Sequence, residues 1–93
     1  MARERTMDTD TRGEVLKRLA YIEGHLAGVR KMIADDKYCV DVLKQTYAVR
    51  RAIEKAESML LAGHLHHCVV EGIEAGEAGV LDELVELYEL ANK

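Results

Sequence analysis

The stretch KYCVDVLKQTYAVRRAIEKAESMLLAGHLHHCVVEGIE, residues 37–74, decides the fold. Along it Val42, Thr46, Val49, Ile53, Ala56 and Leu60 recur in alternating steps of four and three. That spacing is the seam of one helix laid along another. The chain has no proline, and nothing stronger than Gly63 interrupts the pattern before Gly76. One glycine costs a helix only about 1 kcal/mol. The spacing therefore predicts one helix from Lys37 to Glu74, on the order of 55 Å long. A 93-residue chain cannot cover such a rod alone.

Working outward, Thr11 and Glu14 fit a capping box at the start of an earlier helix. Val15, Leu19, Ile22, Leu26, Val29 and Ile33 give it a heptad seam. Gly24 and Gly28 lie inside that seam, and close helix approach is the reason expected for them. Asp35-Asp36-Lys37 is the first turn and Glu74–Gly79 the second, with Gly76 just past the helix end. Leu81, Leu84, Val85 and Tyr88 then mark a short third helix. The predicted fold class is all-α, a three-helix protomer of two long antiparallel helices plus a short third. Residues 1–10 are expected as a flexible N-terminal tail and 11–93 as a single domain.

Composition agrees. Hydrophobic residues make up 48% and charged residues 32%, and the four aromatics are all Tyr, so the core is aliphatic. No stretch reaches the roughly 20 uncharged apolar residues of a membrane span. The opening MARERTMDTD lacks an apolar export signal, so a cytoplasmic location is expected. Two cysteines 29 positions apart then read as reduced thiols. The net charge of −4 is unevenly spread: residues 1–55 carry 12 Lys/Arg against 9 Asp/Glu, and residues 56–93 carry 1 against 8. The basic half leaves a polyanion partner open. No paired-carboxylate, nucleophile–base or phosphate-cradling motif is present, so catalysis is not expected.

The soft donors are Cys39, Cys68, His25, His64, His66 and His67. His64 and Cys68 are four apart and share one helix face, a spacing that can grip a single ion. Cys39 is the natural third donor, but 25 residues of helix, about 37 Å, separate it from His64. Two antiparallel copies crossing near residues 52 and 53 bring Cys39 of one beside His64 and Cys68 of the other, twice per two-fold dimer. Two thiolates and one imidazole suit Cu(I), and Zn(II), which normally takes a fourth ligand, is second. Both cysteines could instead be small core hydrophobes. His66 and His67 are ordinary solvated helix residues by default, although His67 lies close enough to compete with His64; His25 is most simply a packing or surface residue.

Residues 16–53, LKRLAYIEGHLAGVRKMIADDKYCVDVLKQTYAVRRAI, together with HLHHCV at 64–69, resemble the CsoR-type copper-sensing transcriptional repressors. The specific elements are K-Y-C-x-D-x-L at Lys37–Leu43, A-V-R at Ala48–Arg50 and H-L-x-H-C-V at His64–Val69. The resemblance implies a dimer that pairs into a homotetramer, binds operator DNA without a helix-turn-helix and releases it when Cu(I) binds. It implies Cys39, His64 and Cys68 as the metal ligands. It adds Tyr38 and a third-helix carboxylate, Glu83 or Glu86, as partners of the ligand histidine, Glu83 being preferred. It places Arg18 and Arg50 on the DNA face, with Lys17, Arg51 and Arg12 contributing. The family's usual Gln after the first-helix glycine is His25 here, which bears on operator preference. A nickel/cobalt branch needs a His near the N-terminus and a His where Cys68 stands, and a formaldehyde branch also lacks Cys there. A persulfide branch keeps both cysteines without the His. The remaining alternatives are thus a persulfide sensor using Cys39 and Cys68, and a metal-buffering protein that binds no DNA.

Overall fold

The computed structural model describes residues 5–93. Helix α1 spans Thr9–Ala34 and α2 spans Cys39–Gly63. The same rod continues through a π-helical segment, His64–Val69, into α3, Val70–Glu74, and α4 follows at Val80–Ala91. The described chain is helical, with the three rods expected. It is also elongated: its longest axis is 56 Å and its radius of gyration 17.4 Å, against about 12 Å for a compact domain of this length. Among the described residues no helix is long and apolar enough to cross a membrane.

Why α1 and α2 pair is visible in a strict seven-residue repeat. Val15, Ile22 and Val29 of α1 are buried, and Val49, Ala56 and Gly63 of α2 meet them. Ile22, Val29, Val49 and Ala56 form the core cluster, with Val42 and Ala52 packed on it. The alternate seam positions Leu19, Leu26 and Ile33 stay exposed, as do Leu43, Tyr47 and Ile53 on α2 and Leu81, Val85 and Tyr88 on α4. One chain therefore uses half of its seam internally.

Both turns close as Schellman motifs. After α1, Asp36 takes the left-handed conformation, its N–H bonds Ile33 O and that of Lys37 bonds Met32 O. After α3, Gly76 does the same, with Gly76 N–H on Ile73 O and Glu77 N–H on Gly72 O.

Four expectations change. The cap of α1 is Asp8, whose side chain accepts the Thr11 N–H at 3.0 Å, so the Thr11–Glu14 box does not start the helix. The tail boundary expected at residue 11 falls inside α1, while residues 1–4 of that tail lie outside the described residues. Nothing comes within 4 Å of a Cβ built on Gly24 or Gly28; the close approaches are at Gly63, where a Cβ would stand 2.7 Å from Thr11 Cγ2, and at Gly72, where it would stand 2.8 Å from Val80 Cγ2. And the long helix is not uniform. His64–Val69 widens into i→i+5 hydrogen bonding, a distortion that recurs at functional sites.

Candidate metal centre and nucleic-acid face

The π segment carries the His64 and Cys68 donors. Cys68 is buried, 8% exposed, and His64 is half-buried. Both line an open groove of about 910 Å³ between the end of α2 and α4. Its other walls include Met7 and Arg5 from the chain start, Leu60 and Leu61 from α2, and Glu83, Glu86, Leu87 and Leu90 from α4. Glu83 and Glu86 thus share one cavity with His64, and both carboxylates remain candidates to orient it.

Cys39 is elsewhere. It is the first residue of α2, exposed, preceded by the N-cap Tyr38. Its thiol is a helix-length from the groove, about 37 Å by helical rise. Among the described residues no three His, Cys, Asp or Glu side chains converge. His66 and His67 are exposed, and His67 Nε2 lies 3.6 Å from Asp8 Oδ1. His25 is engaged away from the groove, with Nε2 2.7 Å from Gln45 Oε1 and its ring edge-on to Tyr21.

Hydrogen bonds from the Thr11 side chain first, then from its backbone, hold the Asp8 carboxyl below 3.8, and His67 adds attraction.

The basic side chains Arg12, Lys17, Arg18, Arg50 and Arg51 are all exposed. Lys17 and Arg18 of α1 line a shallow depression with Glu14, Tyr21, Ile22 and, from α2, Ala52. Arg50 lies 5.2 Å from the Tyr47 ring centre and 3.9 Å from Glu54. Lys17 reaches Glu14 at 3.9 Å. Exposed pairs of this length contribute little and are easily exchanged for phosphate.

Residues 11–90 match the metal-sensitive transcriptional repressor family. The chain belongs to that family. The copper-sensing transcriptional repressor CsoR of Bacillus subtilis is 36% identical over 81 residues, covering 86% of this chain and 80% of the relative. The copper-sensing repressor RicR of Mycobacterium tuberculosis is 40% identical over 78 residues, 84% of this chain and 81% of its own length. Among solved structures, the copper-sensing repressor CsoR with Cu(I) from Geobacillus thermodenitrificans superposes with a TM-score of 0.88 at 32% identity, covering 99% of this chain and 97% of that one. The nickel-responsive transcriptional regulator InrS also matches, with a TM-score of 0.67 at 30% identity over 97% of each chain. One repressor scaffold therefore serves different metals, and the donor atoms must decide among them.

Two features of this family member escaped the sequence reading. The π turn has no proline or glycine within HLHHCV to signal it. The segment before α1 packs on the donors, and only the later Glu71 and Glu77, as counter-charges for Arg5, could have hinted at it.

Proposed function

We propose that this protein is a Cu(I)-responsive repressor that holds operator DNA when metal-free and releases it when Cu(I) binds between protomers. The observation that carries this reading is the separation of Cys39, heading α2, from His64 and Cys68 beyond its far end, in a chain whose apolar faces are open. A second antiparallel copy covers those faces and supplies the missing thiol. The donor set fits the ion: two thiolates and one imidazole are soft and low-coordinate. The copper-sensing repressors of Bacillus and Mycobacterium, and the Cu(I) in the Geobacillus structure, support copper over nickel.

His64 and Cys68 of one protomer with the partner's Cys39 would hold the ion. Bound there, Cu(I) supplies a cross-link between the two subunits. Glu83, across the groove from His64, orients the imidazole, with Glu86 one turn on and the partner's Tyr38 completing the contact. Since Glu83 rides on α4, a fixed histidine fixes α4 as well. Dimers pair into a homotetramer in the cytoplasm. The DNA face is the basic side of the hairpin, centred on Arg18 and Arg50 with Lys17, Arg51 and Arg12, and binding there weakens steeply with salt.

Fluorescence anisotropy on the DNA upstream of the protein's own gene, with and without anaerobic Cu(I), tests the proposal. The parent binds and then releases, whereas Cys39→Ala and Cys68→Ala each bind and do not release. Mixing the two variants restores about a quarter of the parent's sites, because a mixed dimer holds one complete set. No restoration refutes a shared site. Release by polysulfide that survives His64→Ala marks a sulfur sensor, and Cu(I) binding without DNA binding marks a metal buffer.

A further inference from the structure

Four consecutive residues ahead of α1 cross the π segment. The Arg5 guanidinium spans two carboxylates, Nη1 to Glu71 Oε2 at 3.0 Å and Nη2 to Glu77 Oε1 at 2.5 Å. The Arg5 side chain is 22% exposed and that of Glu77 14%, so this arm of the clamp is largely shielded from water, whereas Glu71, 62% exposed, lies on the surface. The Thr6 carbonyl accepts from Cys68 Sγ at 3.6 Å. Met7 forms part of the groove wall with His64 and Cys68. Asp8 caps α1 and faces His67. The close approach at Gly63 brings the start of α1 against the helix beside His64.

We propose that Arg5–Asp8 is a strap that closes over the Cys68 thiol, with the Arg5 clamp as its latch. The strap must lift before the thiol reacts. It is built to lift: among the described residues, Arg5 Nε, Asp8 Oδ1 and Glu77 Oε2 are buried without a hydrogen-bond partner, so the closed state is held below its full strength. The strap itself does not depend on the copper reading. Its role in metal loading does: if Cys68 binds Cu(I), the measured affinity falls by the fraction of time the strap is open.

The test uses full-length, metal-free protein with Cys39→Ser, so that iodoacetamide reports Cys68 alone. Arg5→Ala and Glu77→Gln should each speed alkylation about three- to tenfold, the scale of a part-buried ion pair. The swap Arg5→Glu with Glu77→Arg should return the rate toward the parent's. Parent-like rates in Arg5→Ala overturn the strap, as does a swap that stays fast. Acceleration matched by equal loss of amide protection at Ile22 and Val49 also overturns it, since that is global opening. In the Cys39-intact chain, Arg5→Ala should speed Cu(I) uptake from a chelator by the same factor. Faster alkylation in a chain that binds no Cu(I) would leave the strap standing and the copper reading refuted.

Discussion

Cys39 and Cys68 occupy the two ends of one helical rod and are prepared in opposite ways. Cys39 stands in solvent on the first turn of α2, beside an exposed Tyr38. Cys68 sits in a π turn beneath a carbonyl, a clamp and a groove that its own chain supplies. Under the function proposed above, the Cys39 end is completed by another copy, whereas the Cys68 end is enclosed by its own chain. On that reading a small chain makes a ligand site report on assembly: the enclosed half holds geometry, and the open half makes binding conditional on a neighbour.

The largest break in this comparison comes at the proposed two-fold crossing. Ile53 is 41% exposed in the single chain, and a second copy crossing there would bury it against itself. Ile53→Lys sets two ammonium groups together in that contact, at a cost of more than about 4 kcal/mol per dimer from desolvation and repulsion. Light scattering should show a monomer at micromolar concentration. The Cys68 end should stay intact, with its alkylation rate unchanged, because its shielding comes from its own chain. A stable Ile53→Lys dimer would move the crossing elsewhere.

A smaller and more local effect belongs to Gly63. Alanine gains up to about 1 kcal/mol in helix propensity. Against that, its Cβ would meet the β-branched Thr11 at 2.7 Å, where a stiff side chain has little room to turn. Overpacking of this kind costs about 1–3 kcal/mol. Gly63→Ala should therefore lower the urea midpoint and unseat the strap, whereas Gly24→Ala, with open space around it, should stabilise the protein. Equal behaviour of the two variants would mean that the α1–π contact carries no weight.

The same contrast explains what the sequence made legible. The seams were readable because burial imposes a period: Val15, Ile22 and Val29 against Val49 and Ala56 repeat every seventh residue whatever surrounds them. The seam could not say which half faced inward, since Leu19 and Val15 carry the same chemistry. Gly24 and Gly28 looked structural because a helix seldom tolerates glycine, yet tolerance depends on what lies opposite, and opposite Gly63 there is Thr11. His64, Cys68, Glu83 and Glu86 were picked out by donor chemistry and resemblance, and the structure lines one groove with all four. The strap was invisible for a different reason. Arg5 finds its carboxylates 66 and 72 residues away, and no local pattern encodes such a pairing.

The smallest effect sharpens the comparison by pH. Thr11 hydrogen bonds lower the Asp8 carboxyl below 3.8 in the folded chain. A depressed carboxylate contributes stability that is present above its unfolded pKa and disappears as pH falls through the folded value. The change is therefore confined to acid, below about pH 4. Asp8→Asn separates charge from capping, because asparagine caps a helix nearly as well but does not titrate. The gap in melting temperature between the parent and Asp8→Asn should close as pH falls below about 4. Local hydrogen exchange should place the acid-sensitive opening in the first turn of α1 and around Cys68, with the Asp36 turn and Cys39 unaffected. An acid response shared by both ends would mean that Asp8 acts through the whole hairpin, and the Cys68 end would then have no separate latch.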